Sequence, residues 1–189
     1  MNIKIVSGMA GSGKSTYCKK LEDEGCFYIA HDKWVKAEYA DYESGAYSFV
    51  NSLVGESVIN EDRTINFKKL GEMLIVDDDL NYIFIDYFTS KFTAYICWQI
   101  ELLKISACMN KNIVIEIPYL DHSIHWLQRK YPEIEVISVQ TSDEEQYYRL
   151  IKRGWSEERI SKSRRLYFDM YQTYGGYYTK LKNGYPEDN

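Results

Sequence analysis

The chain has few cysteines, and their spacing fits neither a disulfide framework nor a zinc site. Its 189 residues include Cys18, Cys26, Cys97 and Cys108, which form no C-x-x-C pair. These spacings match no common zinc pattern and no dense set of disulfides. Reduced thiols in a cytoplasmic protein are therefore expected.

The sequence also lacks an excess of positive charge and an uninterrupted apolar run. Lys and Arg number 23 against 28 Asp and Glu, which gives a net charge of −5. A broad basic surface for nucleic acid is not expected, although a phosphate site needs only a few cations. The apolar stretch over residues 83–105 is broken by charged side chains, so no membrane span is expected. The start of the chain runs directly into an apolar strand pattern, so no signal peptide is expected either.

One phosphate-binding motif is present near the start of the chain. Residues 8–15 fit G-x-x-x-x-G-K-[ST], with an apolar run before them and a helical pattern after them. Its glycines let backbone N–H groups turn toward phosphate oxygens, Lys14 would reach the β- and γ-phosphates, and Ser15 would hold Mg²⁺. ATP and Mg²⁺ are the predicted cofactors. The predicted nucleotide-binding residues are Gly8, Gly11, Ser12, Gly13, Lys14, Ser15 and Thr16. A glycine-rich turn without a ligand would not explain the Lys and Ser that follow Gly13.

Apolar strand patterns alternate with helical patterns along the chain, which is 45% hydrophobic and 27% charged. The predicted strands cover residues 2–7, 26–30, 112–117 and 135–139. The predicted helices cover about residues 14–24 and 122–130, and two more begin after Ser142 and Ser156. Strands this apolar are typical of a parallel sheet covered on both faces, so the fold class is α/β, a P-loop fold in a single domain over residues 1–189. Residues 33–109 are expected to be mostly helical, and residues 173–189 to fray.

Two carboxylates are candidates for the chemistry of phosphoryl transfer. Asp32 follows the second strand, at the sheet edge where ligands bind, and could accept the proton of an acceptor hydroxyl. The alternative for Asp32 is a helix N-cap. Glu116 is the one charge in an apolar strand and could serve the Mg²⁺ site. The alternative for Glu116 is an ion pair with a neighbouring lysine.

Two arginines are candidates for a phosphate-binding lid. Arg149 and Arg153 are four residues apart on one predicted helix face, within a lid region over residues 149–165. The alternative is a solvated basic face that pairs with Glu144 or Glu145. His122 and His125 have no matching ligands nearby in sequence and are expected to be ordinary helix residues.

These features resemble the dephospho-coenzyme A kinases, in order along most of the chain. The matching stretches are residues 8–16, 29–32, 62–70, 114–120, 139–154 and 156–160, and residues 145–153 resemble the lid of that family. The resemblance implies a P-loop kinase fold with a helical acceptor-side insertion and a lid. It also implies transfer of the γ-phosphoryl group of ATP to the ribose 3′-hydroxyl of dephospho-CoA, with Asp32 as the acceptor-side base and Arg149 and Arg153 in the lid.

Two other interpretations of the sequence remain open. The same loop, the Asp after the second strand and an Arg-bearing lid also occur in kinases of nucleosides and nucleoside monophosphates. A nucleotide-binding module without catalysis is the second alternative. The expected partner is a small-molecule acceptor, dephospho-CoA or a nucleotide, rather than nucleic acid or a membrane.

Overall fold

The computed structural model of the chain describes residues 1–106 and 111–183. The strands in these ranges are β1 (Ile3–Ser7), β2 (Phe27–Ala30), β3 (Ile113–Glu116), β4 (Ile134–Gln140) and β5 (Lys180–Asn183). The helices are α1 (Lys14–Asp23), α2 (His31–Ala40), α3 (Gly45–Val54), α4 (Phe67–Val76), α5 (Asp78–Ile105), α6 (Ser123–Lys130), α7 (Asp143–Lys152) and α8 (Glu157–Tyr174). Short 3₁₀ helices lie at Gly55–Val58 and Gly175–Tyr177.

The five strands form one parallel sheet in the order β2-β3-β1-β4-β5. In register, Glu116 at the end of β3 lies beside Val6 of β1 and Ala30 of β2. The carboxyl ends of these strands therefore meet at one edge, which is where parallel α/β sheets bind ligands. The predicted α/β class with a parallel sheet flanked by helices is confirmed.

Helix boundaries follow the predicted capping signals. The hydroxyls of Ser142 and Ser156 cap α7 and α8 by accepting hydrogen bonds from the backbone N–H groups of Glu145 and Arg159. Gly25 follows the C-cap of α1 with φ of 97°, a left-handed conformation that favours glycine. The predicted starts of α7 and α8, and the role of Gly25 in ending α1, are confirmed.

The C-terminal segment differs from the prediction, because part of the stretch expected to fray forms strand β5. The hydroxyl of Thr179 donates to the carbonyl of Val136 at 2.9 Å and accepts from the N–H of Val136 at 3.1 Å. Backbone pairing with β4 then continues through Asn183. A four-residue edge strand depends on such pairing, and the lysine- and tyrosine-rich sequence has no apolar run that would reveal it. Residues 184–189 of the predicted tail lie outside the described residues.

The chain divides into two compact units, Met1–His31 with Thr93–Asn189, and Asp32–Phe92. In the first, α1 packs on the sheet through Tyr17, Cys18 and Leu21. The second is helical around an aromatic core, in which Tyr39 and Phe88 meet edge to face with ring centroids 5.2 Å apart. The expected helical character of residues 33–109 is confirmed up to Ile105, and residues 107–109 lie outside the described residues. The single domain over residues 1–189 stays a prediction.

The sequence analysis expected neither a membrane span nor a framework of disulfides. Over residues 1–106 and 111–183, no helix is both long enough and apolar enough to cross a membrane. Cys18, Cys26 and Cys97 are free thiols, while Cys108 lies outside the described residues. Burial raises the pKa of the Cys97 thiol above its usual value.

Candidate nucleotide site

The loop between β1 and α1 has the backbone of an anion-binding cradle. Gly11 and Gly13 have φ values of 78° and 92°, a left-handed conformation that glycine adopts without steric cost. Gly13 is the N-cap of α1 and has no side chain to cap it, and Tyr17 makes the first main-chain bond of the helix, to the Gly13 carbonyl at 3.0 Å. The N–H groups of the first helical turn, Lys14 to Thr16, therefore lack intrahelical acceptors and suit a phosphate.

Gly8 holds the loop close to the end of β4. A Cβ atom on Gly8 would lie 2.3 Å from the backbone oxygen of Val139 and 2.7 Å from the Ser12 hydroxyl oxygen. The space that a side chain would fill is thus occupied by the sheet and by the loop itself.

Substitution of Gly8 by Ala should destabilise the protein by roughly 1–3 kcal/mol, because a backbone carbonyl cannot move away as a flexible side chain can. Urea unfolding would measure the change in the free energy of unfolding. Gly71→Ala is the matched control, since Gly71 lies inside α4 and an added Cβ there meets nothing within 4 Å. That variant should gain about 0.5–1 kcal/mol from helix propensity. Equal stability of Gly8→Ala and the wild type would contradict the close approach to β4.

The hydroxyl of Ser12 indicates that the loop suits a ligand. Ser12 is fully buried, and its oxygen has no hydrogen-bond partner among the described residues. Burying a hydroxyl without a partner costs about 1–3 kcal/mol. The residues of the loop therefore fit a bound phosphate group, which offers oxygens to otherwise unused donors.

Glu116 lies next to the loop and accepts hydrogen bonds from two hydroxyls. The Ser15 hydroxyl donates to one carboxylate oxygen of Glu116 at 2.6 Å, and the Tyr28 hydroxyl donates to the other. Glu116 is only 7% exposed. The described hydrogen-bond partners of the buried carboxylate are thus the hydroxyls of Ser15 and Tyr28, whereas the alternative interpretation was an ion pair with a lysine. Paired serine and carboxylate oxygens fit Mg²⁺, which is bound through one or two carboxylates together with substrate phosphates.

The pKa of the buried Cys18 thiol is affected by charges of both signs beside the loop. Burial is the main cause that raises the pKa of the Cys18 thiol far above its usual value. The negative charge of Glu116 raises this pKa further, while the positive charge of Lys14 lowers it. Cys18 is therefore a neutral packing residue rather than a nucleophile, since nucleophilic cysteines need a lowered pKa.

Side chains of helix α7 donate hydrogen bonds directly to the phosphate loop. The Arg149 guanidinium donates to the Gly11 carbonyl at 3.0 Å through Nη1 and to the Glu145 carboxylate at 2.9 Å through Nε. The Gln146 side-chain amide donates to the Ala10 carbonyl at 2.9 Å. Arg149 is 5% exposed, so the alternative of a solvated basic face was wrong for Arg149, although the pairing with Glu145 that it included is present.

Arg153 and Asp32, which were also predicted to be catalytic, are both exposed. Arg153 is the exposed C-cap of α7, and its N–H donates to the carbonyls of Arg149 and Leu150. Asp32 is the exposed second residue of α2, directly after β2, and opens the second compact unit. Because α2 begins at His31, Asp32 lies in the first turn of the helix and is not its N-cap.

The two histidines lie at the start of α6 and within it. His122 is the N-cap of α6, and His125 contacts the Tyr177 hydroxyl from within the helix. In the part of the chain that the structure describes, no group of three or more His, Cys, Asp or Glu side chains is arranged to hold a metal ion.

Tyr28 and Gln146 were not predicted as site residues from the sequence, and Arg164 was expected only as part of the basic lid region over residues 149–165. Tyr28 reaches Glu116 from β2, Gln146 reaches the loop from α7, and the Arg164 guanidinium reaches Gln146 from α8 at 2.7 Å. Each is polar or amphipathic at a position that local patterns assign to an ordinary strand or helix face. In the register of β2 and β3, Ala30 lies beside Glu116. Tyr28 is two residues before Ala30 and therefore on the same face of the strand, which is the feature that would have indicated its contact with Glu116.

A strand, a glycine-rich phosphate loop and a helix, with a carboxylate on the neighbouring parallel strand, define the P-loop class of α/β proteins. A model of the family described as AAA domain matches residues 5–168, which is well over half of the chain. The chain therefore belongs to the AAA domain family.

Curated relatives of the chain support the resemblance to dephospho-CoA kinases that its motifs indicated. Curated dephospho-CoA kinases from two serovars of Leptospira interrogans are 35% identical over 69 residues. This match spans 36% of the chain and 33% of each relative, so it covers about a third of their length. The resemblance to the dephospho-CoA kinases, suspected from the motifs, is thus confirmed as a resemblance.

Two solved structures share the fold at low sequence identity. TT1252 from Thermus thermophilus has a TM-score of 0.65 at 20% identity, with 95% of this chain and 86% of that chain covered. A dephospho-CoA kinase from Campylobacter jejuni has a TM-score of 0.61 at 21% identity, with 98% and 89% covered. Likeness at this identity shows the fold and not the substrate.

Proposed function

We propose that the protein is an ATP-dependent kinase that phosphorylates a small-molecule acceptor, most specifically the ribose 3′-hydroxyl of dephospho-CoA. The observation that carries the proposal is the contact between Ser15 of the phosphate loop and the buried carboxylate of Glu116. This pair of groups would provide a cation site beside the phosphate cradle, and a kinase needs both to position the γ-phosphoryl group. The match to curated dephospho-CoA kinases supports the choice of acceptor.

The loop would bind the donor nucleotide. Backbone N–H groups of Gly11 and Gly13 and of the first turn of α1 would hold the β- and γ-phosphates, and the Lys14 ammonium would compensate their charge. The hydroxyls of Ser15 and Thr16 follow Lys14 within that turn. Mg²⁺, when bound through Ser15 and Glu116, would neutralise charge on the phosphate oxygens during transfer.

Asp32 would act on the acceptor. Its carboxylate would take the proton of the acceptor hydroxyl as the oxygen forms a bond to the γ-phosphorus. The bond between the γ-phosphorus and the bridging oxygen breaks in the same step, and ADP leaves with that electron pair. Asp32 is exposed in the first turn of α2, directly after β2.

Arg149 and Arg153 would supply the remaining cations. Arginine suits this role because its planar guanidinium binds phosphate oxygens in pairs. Arg149 is already held at the loop through Gly11, and the exposed Arg153 lies one helical turn further on. Binding of the nucleotide would draw the exposed side chains of the lid region over residues 149–165 toward the phosphates.

An acceptor panel tests the proposed function. Release of ADP would be followed with ATP and Mg²⁺ in the presence of dephospho-CoA, nucleosides or nucleoside monophosphates. Turnover with dephospho-CoA alone is the expected result. Turnover with nucleoside monophosphates alone would instead establish a nucleotide kinase, and ATP binding without any turnover would establish a module that does not catalyse transfer.

Asp32→Asn should lower turnover by about 100-fold while ATP still binds, because the amide cannot accept the proton. Steady-state rates and calorimetric titration with ATP would separate the two effects. Glu43→Gln is a suitable control, since Glu43 is also exposed in the second compact unit. Unchanged turnover in Asp32→Asn would remove Asp32 from the mechanism.

A further inference from the structure

We infer that Gln146 is a positioning residue that sets the conformation of the phosphate loop, and that Arg164 of α8 holds Gln146 in place. The inference rests on the proposed nucleotide binding by the loop. The Arg164 Nε donates to the Gln146 Oε1 at 2.7 Å, and the Gln146 Nε2 donates to the Ala10 carbonyl at 2.9 Å. These two hydrogen bonds are called the Gln146 bridge below.

The chemistry of the bridge requires a carboxamide. One end of the side chain must accept a hydrogen bond from a guanidinium, and the other must donate one to a carbonyl. The two bonds together fix the orientation of the amide, because rotating it by 180° would turn its NH₂ toward Arg164 and its oxygen toward Ala10. Gln146 is 1% exposed, so water cannot replace either partner.

The bridge acts on a part of the loop whose shape determines where its N–H groups point. Ala10 and Gly11 both present their carbonyls to α7, to Gln146 and Arg149 respectively. A trans peptide holds its C=O and N–H in opposite directions. Anchoring the Ala10 carbonyl on α7 therefore directs the N–H of Gly11 away from α7, where it can serve a phosphate.

Helix α8 is connected to the loop through the same contacts. Arg164 also donates to the Asp143 carbonyl at the start of α7, at 2.8 Å, so its guanidinium joins α8 to α7 at two points. Arg164 touches no atom of the loop in these bonds and acts through Gln146. A change at Arg164 should therefore reach the loop only while Gln146 is present.

The test uses variants that separate positioning from packing. Gln146→Leu keeps the volume but removes both bonds, Gln146→Glu keeps the acceptor for Arg164 but turns a carboxylate toward the Ala10 carbonyl, and Arg164→Gln removes the guanidinium. Tyr148→Ala is the control, because Tyr148 is on α7 and 63% exposed. Dissociation constants would be measured for a non-hydrolysable ATP analogue with Mg²⁺ and for tripolyphosphate. Hydrogen exchange over residues 8–13 would be followed without ligand.

Gln146→Leu and Gln146→Glu should each bind the ATP analogue and tripolyphosphate about tenfold more weakly, with faster exchange over the loop. Arg164→Gln should show a smaller loss in the same direction, and the double variant Gln146→Leu with Arg164→Gln should lose no more than Gln146→Leu alone. A structural defect unrelated to the loop would instead make the two losses additive, which would overturn the inference.

Other outcomes are equally decisive. Binding by Gln146→Glu within about twofold of the wild type would overturn the inference while leaving the proposed function intact. If Gln146→Leu does not fold, Arg164→Gln decides the matter, because unchanged binding and exchange in that variant would overturn the inference. A wild-type chain that binds neither ATP analogue nor tripolyphosphate would overturn the proposed function as well.

Discussion

Replacement of Lys14 by Ala should lower the rate of phosphoryl transfer by about 1,000-fold or more. Negative charge is spread over the oxygens of the transferred group in the transition state, and a fixed cation there is worth more than one in water. Lys14 is the first residue of α1, where the helix N-terminus and the ammonium act on the same phosphates. Steady-state turnover with saturating acceptor would measure the loss.

The fold should survive this substitution. Lys14 is only partly buried, and Ala is a better helix former than Lys. Lys19→Ala is the matched control, because Lys19 lies in the same helix and is exposed. It should keep wild-type turnover. A Lys14→Ala variant with a near-normal rate would remove the loop from the reaction.

The second large effect is expected at Glu116. Glu116→Gln keeps the size of the side chain and can still bond the hydroxyls of Ser15 and Tyr28, but it removes the buried negative charge. We expect turnover to fall by about 100-fold or more, and the Mg²⁺ concentration for half-maximal activity to rise, because the carboxylate is the one anionic group described at the end of β3.

The measurement is a titration of turnover with Mg²⁺ at fixed ATP. Glu133→Gln serves as the control, since Glu133 is exposed on the segment before β4. It should leave the Mg²⁺ dependence unchanged. If Glu116→Gln follows the wild-type Mg²⁺ curve, then Glu116 stabilises the fold through its two hydroxyl partners and has no part in the cation site.

The sequence predicted most of the sheet because its signals are local. The apolar runs of β1, β3 and β4 and the hydroxyl caps at Ser142 and Ser156 each depend on a few neighbouring residues. Strand β5 was missed because its stability comes from pairing with β4 and from Thr179, which bonds a residue 43 positions away. Such a contact leaves no periodic pattern in the sequence.

The same distinction applies to the candidate site. The loop residues could be named from the sequence, because their spacing alone is typical of a phosphate cradle, and their binding of a nucleotide stays a prediction. The position of Glu116 beside the loop was predicted from its place in the strand, and its contact with Ser15 agrees with that prediction. The Gln146 bridge was not predicted, since it joins residues 136 positions apart through the tertiary fold. The catalytic roles of Asp32, Arg149 and Arg153 stay predictions.

The packing of Gly11 bears on whether the phosphate motif can be transplanted. A Cβ atom on Gly11 would lie 3.2 Å from the Leu150 side chain and 3.3 Å from the Gln146 backbone oxygen. The loop therefore packs closely against helix α7, which lies far downstream in the sequence. The eight-residue motif therefore does not determine the shape of the loop by itself. A protein engineer who grafted only β1, the loop and α1 onto another scaffold would transfer the signature without the surface that gives it its shape.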